Sequence, residues 1–339
     1  MSLCVATTRM FSFSRLRLKS RVSIGGRIRQ LSEFILSRPF FAREISSDPM
    51  IFVCGLSRSG TTLLATIFDA HSKVAMGYEL IPGILPNAAT SLMLVCKARD
   101  TGALSERECG RVLKQWGYKE LALFVSRCHR AGLDFDGINA VFAWARKEQR
   151  GRISTVYDRL RIAHKAAYEM KCRQNAEYYG FKLNTGSVRY AHKLFPGSYL
   201  VYIVRDPRDV IASHIERKFS RTVEEISRSW VRALANFEAF RTTHRGRGAV
   251  VRYEDLVHSP RESIQSFFAI LPLGIEEGLL EYQSSKASVL QTHHPNLEGL
   301  KKGFSAARIG RWQGELDPKA VTGVESICGE WMCRFHYPV

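Results

Sequence analysis

Short unbroken apolar runs alternate along this chain with longer stretches whose apolar residues recur every three or four positions. Met50 to Cys54 (MIFVC) is the first such run, and Leu63, Leu64, Ile67 and Phe68 follow it at helical spacing. This reads as a strand, a tight turn and a helix from about Thr61 to Ala70. Val74 to Gly77 is a second short run. Tyr179 to Leu183 (YGFKL), Tyr199 to Val204 (YLVYIV) and Gly248 to Tyr253 (GAVVRY) are further candidate strands, the middle one buried by its continuous apolar character. From Asn87 to Tyr179 the pattern is helical almost throughout. Val112, Trp116 and Leu123 suggest one helix, with Gly110, Gly117 and Gly132 weakening or ending segments, and Val156, Leu160, Ala163, Ala167 and Met170 keep helical spacing up to Gly180. Arg189 to Phe195 is a short helix ended by Pro196-Gly197, and Ile226, Trp230, Leu234 and Phe237 define a long amphipathic one. Strands alternating with helices predict a three-layer α/β fold with a central parallel sheet, and the stretch at about 87–178 reads as a helical cap.

The turn after the first strand brings in chemistry. A helix starting directly after a glycine-bounded loop leaves its first N–H groups without intrahelical partners. It aims them, with the positive end of its dipole, at one point, and such a point binds phosphate. Gly55 and Gly60 have the spacing of the P-loop pattern GxxxxGK(S/T), but Thr61 stands where the lysine belongs and the basic group lies inside the loop as Arg58. Arg58, Ser59, Gly60, Thr61 and Thr62 can hold phosphate through backbone and hydroxyl donors, without the lysine that serves a magnesium-bound triphosphate. On the loop alone, an ordinary Gly-Ser-Thr turn between strand and helix is the competing reading. The fold is thus expected to be of P-loop type, with Glu79 in the segment leaving the second strand, where open α/β sheets place their ligands.

Charge narrows the partners only in part. The 339 residues carry a formal charge of +18; residues 1–50, with nine Lys/Arg against three Asp/Glu, hold six of those charges, so the remainder is basic in its own right. This suits an anionic ligand, an acidic acceptor or an anionic membrane surface. The chain has no Lys/Arg block with interleaved aromatics, so nucleic acid is not an expected partner. The eight cysteines include no CxxC pair and read as reduced thiols, which gives a reducing, cytoplasmic compartment as the expectation. No run reaches the length of a transmembrane span and no signal-peptide pattern is visible. Residues 1–45 are expected to form a basic arm, flexible or helical, and 46–339 one domain. Met1 to Ser32 has seven basic residues and no acidic one, which fits a poorly ordered tail, an organellar targeting segment or an arm lying on a membrane.

The second informative stretch is YIVRDPRDVIASHIERKF, Tyr202 to Phe219, with Arg205 at the exit of a buried strand and Ser213 about two helical turns later. GxRSGTT, Arg205 with Ser213, Arg252-Tyr253-Glu254-Asp255-Leu256 and Arg308-Ile309-Gly310-Arg311-Trp312 occur in that order. Together they resemble the sulfotransferases that use 3′-phosphoadenosine 5′-phosphosulfate (PAPS): the 5′-phosphosulfate loop, the 3′-phosphate motif, the strand-end YEDL and the C-terminal GxW segment. RSGTTLL and Asp69-Ala70-His71 look most like the tyrosylprotein, Golgi and bacterial carbohydrate branch. The resemblance covers about Met50 to the C-terminus, weakly in the helical middle. It implies cofactor contacts from Arg58, Ser59, Gly60, Thr61, Thr62, Arg205, Ser213, Arg217, Tyr253, Arg308, Gly310 and Arg311. Lys182 matches a family lysine, although Leu183-Asn184 replaces the usual Thr-Pro. Met76-Gly77-Tyr78-Glu79 keeps the second of the paired glutamates of the tyrosylprotein enzymes, as candidate base, but lacks their cysteine, which puts protein tyrosine as acceptor in doubt.

The implied reaction is in-line sulfuryl transfer from PAPS to an acceptor hydroxyl, on a carbohydrate or other hydroxylated small molecule, with no metal required. Arg58 and Lys182 would absorb charge on the departing phosphate and Glu79 would take the acceptor proton. Glu79 could equally be an ion-pair partner and Lys182 a solvated strand-end lysine; His71, His192 and His214 are alternative bases, with His71 expected to pack at the end of the first helix. The chief alternative is a P-loop kinase or nucleotide-binding protein using ATP and magnesium, which has no use for Arg205 with Ser213. Oligomeric state is not legible.

Overall fold

The computed structural model describes residues 48–102, 105–148, 151–217, 220–291 and 297–339. The basic arm expected at 1–45 lies outside them. Among the described residues the strands β1 (Met50–Cys54), β2 (Val74–Gly77), β3 (Tyr178–Lys182), β4 (Tyr199–Val204) and β5 (Gly248–Arg252) form one parallel sheet in the order β2-β3-β1-β4-β5. β1 is central, paired on one side with β3 (Phe52 opposite Phe181) and on the other with β4 (Phe52 opposite Leu200). All five residues of β1 are buried, as expected of a strand covered on both faces.

Alternate side chains of β1 feed two cores. Ile51 and Val53 pack with Leu64, Ile67 and Phe68 of α1 (Thr61–Ala70), and with Leu256 of α10 (Tyr253–His258) and Ile264, Phe267 and Phe268 of α11 (Pro260–Phe268). Met50, Phe52 and Cys54 face the other layer. It comprises the helical insertion, α2 (Ala88–Asp100), α3 (Glu106–Gln115), α4 (Lys119–Arg130), α5 (Phe135–Glu148) and α6 (Val156–Gln174), together with α7 (Val188–Leu194), α8 (Pro207–Glu216), α9 (Val223–Thr243) and the C-terminal helix. Short helices α12 (Leu297–Lys301) and α13 (Trp312–Glu315) precede that last helix, α14 (Pro318–Arg334). This is the expected three-layer α/β architecture.

Two expectations change. Val112, Trp116 and Leu123 do not share a helix: Gly117, at φ +88°, turns the chain between α3 and α4, and Trp116 and Leu123 are partly exposed at 37% and 38%. Glycine carries this left-handed conformation without the Cβ clash that other residues meet. Tyr253 is the first residue of α10 rather than the last of β5. The long helices agree with their periodicity. Thr155 and Asp158 close a capping box on α6, as Thr222 and Glu225 do on α9. Ile226, Trp230, Leu234 and Phe237 are all buried. The seven described cysteines are free thiols, and no described helix is long and apolar enough to cross a membrane.

Candidate functional site

Because every strand runs the same way, the segments leaving β1 to β5 emerge along one edge. The loop 55–60 is drawn tightly against β4 and α10. A Cβ on Gly55 would sit 2.6 Å from the carbonyl oxygen of Ile203, and one on Gly60 2.6 Å from the ring of Tyr253. Gly60 (φ +94°) and Arg58 (φ +74°) are both left-handed, which folds the loop back over the start of α1. Thr61 and Thr62 are buried as the first residues of that helix, so its opening N–H groups lie directly beneath the loop.

The motif after β4 meets this loop. Arg58 Nε donates to Ser213 Oγ at 3.0 Å, and Arg205 Nη1 donates to the Arg58 carbonyl at 3.1 Å. Arg205 Nη2 donates to the Arg308 carbonyl, its guanidinium lies over the Tyr253 ring at 4.6 Å, and Asp209 pairs with it at 3.4 Å. Arg205 is 3% exposed. The arginine expected to grip a phosphate therefore also ties the loop, α8 and the C-terminal segment together. Asp209 completes the tie by accepting from Gly310 N at 2.9 Å and Trp312 N at 3.1 Å. Arg208 ion-pairs with Asp206 and Glu325 at 2.8 Å each and stacks on Trp312. Ser57 Oγ and His214 Nε2 share a hydrogen bond of 3.0 Å between the same two segments.

The local field is positive. Burial, followed by the charges of Arg217 and Arg308, pushes the Arg58 guanidinium below its ordinary pKa, with Glu216 opposing. A cation held among other cations is stabilised by an added anion. Arg217 is exposed at the end of α8. Arg308 and Arg311 face Glu216 at 3.6 and 3.0 Å, and Arg311 also pairs with Glu315 at 2.7 Å. Donors are left over in the same place: the Ser59 hydroxyl, on a residue 1% exposed, and Arg205 Nε are buried and find no hydrogen-bond partner among the described residues. A buried orphan hydroxyl beside a positive loop is the chemistry that a phosphate oxygen satisfies.

A second cluster lies at the ends of β2 and β3. These strands pair with Gly77 opposite Phe181, which brings Glu79 and Lys182 out side by side. Lys182 Nζ donates to Glu79 Oε1 at 3.1 Å, and Arg127 Nη2 of α4 lies 3.5 Å from Glu79 Oε2. The Lys182 charge, outweighing burial and joined by Arg127 and Arg130, holds Glu79 below the usual carboxylate range. Such a carboxylate is ionised and able to accept a proton.

The structure thus gathers Arg58, Ser59, Gly60, Thr61, Arg205, Ser213, Tyr253, Arg308 and Gly310 at one loop, and Glu79 with Lys182 at the neighbouring strand ends. His71 packs at the end of α1, bonded to the Gly274 carbonyl at 2.9 Å, and His192 lies against His244. Sequence reasoning missed Asp209, Glu216 and Arg127. Asp209 sits inside the quoted RDPRD run; Arg127 is one arginine among many on helices and carries no local signal. Among the described residues no three His, Cys, Asp or Glu side chains cluster as metal ligands.

The family model for the sulfotransferase family (Sulfotransfer_3) matches residues 49–277. The protein-tyrosine sulfotransferase of Drosophila melanogaster is 26% identical over 292 residues, covering 82% of this chain and 50% of that protein. Protein-tyrosine sulfotransferase 1 of Danio rerio is 25% identical over 284 residues, covering 81% and 64%. This chain therefore spans about half to two-thirds of the length of these relatives. Two solved structures share the fold: the sulfotransferase domain from the curacin biosynthetic pathway (TM-score 0.58, 16% identity, 86% of this chain and 98% of that one) and that of the Synechococcus PCC 7002 olefin synthase (TM-score 0.56, 20%, 88% and 98%).

Proposed function

The chain belongs to the sulfotransferase family, and from that premise we propose that it transfers a sulfuryl group from PAPS to an acceptor hydroxyl. The observation that carries this reading is the meeting of Arg58, Arg205 and Ser213, two motifs 155 residues apart joined by a 3.0 Å hydrogen bond at a loop with unspent donors. Bound PAPS supplies an activated sulfuryl group on its 5′-phosphate. The loop N–H groups, Ser59, Thr61 and Thr62 would hold that phosphate, and Arg58 and Lys182 would offset the negative charge left on it when the sulfuryl group passes to the acceptor. Removal of one such donor typically costs about 100 to 1,000-fold in rate. Ser213, Arg205 Nε and Arg217 would hold the 3′-phosphate, with the segment of Arg308, Gly310 and Arg311 beside them adding positive charge.

Glu79 accepts the acceptor proton while Lys182, bonded to it at 3.1 Å, keeps the carboxylate ionised. The matched animal relatives are named for protein tyrosine, which favours a tyrosine hydroxyl over the sugar hydroxyl suggested by the sequence reading. The test is twofold. Thermal stabilisation by 3′-phosphoadenosine 5′-phosphate (PAP) without magnesium is expected to exceed that by ATP with magnesium, and the reverse order would favour a kinase. Radiolabelled PAPS offered with tyrosine-containing peptides and with oligosaccharides then identifies the acceptor; label on sugars alone would remove tyrosine.

A further inference from the structure

Glu79 is badly placed to orient itself. It sits just past β2 in a segment with no regular structure, its backbone is at φ +21°, and its side chain is 45% exposed. An exposed carboxylate has several rotamers, and a proton acceptor needs one of them. Lys182 from β3 holds Oε1 alone. The second oxygen is met from the helical insertion: Arg127 Nη2 lies 3.5 Å from Oε2, and Nη1 of the same guanidinium donates to the carbonyl of Ile81 at 3.2 Å. One planar group therefore holds both the carboxylate and the backbone two residues on. The same helix meets this segment again at Gly83, where a Cβ would lie 1.9 Å from the Glu120 carboxylate.

We propose that Arg127 is a positioning residue that fixes the orientation of the Glu79 carboxylate, so that the helical insertion aligns the base. This rests on Glu79 being the base. The charged groups facing Glu79 are Lys182 from β3 and Arg127 and Arg130 from α4. Removing Arg127 subtracts one cation and one clamp, leaving Lys182 to hold a carboxylate free to turn about a single contact.

The experiment follows the Glu79 carboxyl by carbon-13 NMR titration in the full chain, beside turnover of a tyrosine peptide and PAP binding, for wild type, Arg127→Gln and Arg127→Lys. In Arg127→Gln the Glu79 midpoint is expected to rise and kcat to fall about 10- to 100-fold with PAP affinity unchanged. Arg127→Lys is expected to restore the midpoint but only part of kcat, because an ammonium lacks the two-armed geometry. An unmoved midpoint, or a kcat within about twofold of wild type, in folded Arg127→Gln overturns the proposal. Should Glu79→Gln keep full turnover, the base assignment fails separately. Should no acceptor be found, the titration midpoint alone decides whether Arg127 acts on Glu79.

Discussion

Arg58 and Ser213 are 155 residues apart in the chain, and Nε of the first donates to Oγ of the second at 3.0 Å. That bond uses a lone pair of the serine oxygen and leaves its hydrogen to point elsewhere. The arginine of the loop after β1 thereby orients a hydroxyl donor on α8, and one nucleotide spanning both would use both.

Ser213→Ala is expected to fold normally, because it removes a small hydroxyl next to a half-buried guanidinium. It should bind PAP about 10- to 100-fold more weakly, the scale of one hydrogen bond to a charged group. Isothermal titration with PAP and with adenosine 5′-phosphate checks it. The loss should appear for PAP and vanish for the nucleotide lacking the 3′-phosphate; equal loss for both would place Ser213 away from that group.

Asp209 is expected to matter more for stability than any exposed charge nearby. It is 1% exposed and accepts from Gly310 N and Trp312 N while pairing with Arg205. Asp209→Ala strands a buried guanidinium and two N–H groups, at a cost of about 3–5 kcal/mol. Glu216→Ala, which breaks half-exposed pairs with Arg308 and Arg311, should cost about 0–1 kcal/mol. Urea unfolding of the two variants separates them, and equal midpoints would contradict the role given to Asp209.

The frame of this molecule was open to reading because its strands are short and the two at its middle, β1 and β4, are buried almost throughout. MIFVC and YLVYIV can only be central strands, and the glycine-bounded loop between MIFVC and Thr61 fixes where α1 begins. The Arg58–Ser213 meeting was inferable only because both motifs were identified as ends of one site; nothing local in either stretch specifies the other. The insertion was less legible. Val112, Trp116 and Leu123 match a helical period across a glycine whose φ of +88° is a backbone property, invisible to periodicity. Arg127 escaped notice for another reason: its value comes from a tertiary approach to Glu79 and Ile81, and nothing in the helical sequence around it distinguishes it from other helix arginines such as Arg130 and Arg146.

Glu79 gives a pH signature. Its folded pKa lies below the ordinary 4.5, chiefly through Lys182, so the pair stabilises the fold fully above pH 4.5 and loses that contribution as pH falls through the folded value. The base stays ionised over the same range, and the acid limb of kcat/KM should fall below pH 4.5. In Lys182→Met burial acts on Glu79 with less opposition, so the limb should move upward. Glu79→Gln should lose about 100- to 10,000-fold in turnover while still binding PAP. A limb unmoved in Lys182→Met would detach Glu79 from the rate.

His164 governs a separate pH effect. On α6 it is 6% exposed, its Nε2 shares a 3.0 Å hydrogen bond with the Tyr179 hydroxyl, and its ring stacks on Phe195. Burial pushes its pKa from 6.5 down to about 4, with the Lys165 charge in the same direction. Below pH 6.5 the unfolded chain takes up a proton at this residue that the folded chain refuses, so stability declines until the pH passes the folded value near 4. Each pKa unit is worth about 1.4 kcal/mol, so the full effect is about 3 kcal/mol. Chemical denaturation from pH 7 to 4 should show this slope in the wild type. His164→Phe has no imidazole to titrate, so its decline should be shallower by about that amount, although it forfeits the Tyr179 bond at every pH. Parallel curves for the two proteins would mean that His164 is protonated in the folded state and that its aromatic surroundings are not as closed as they look.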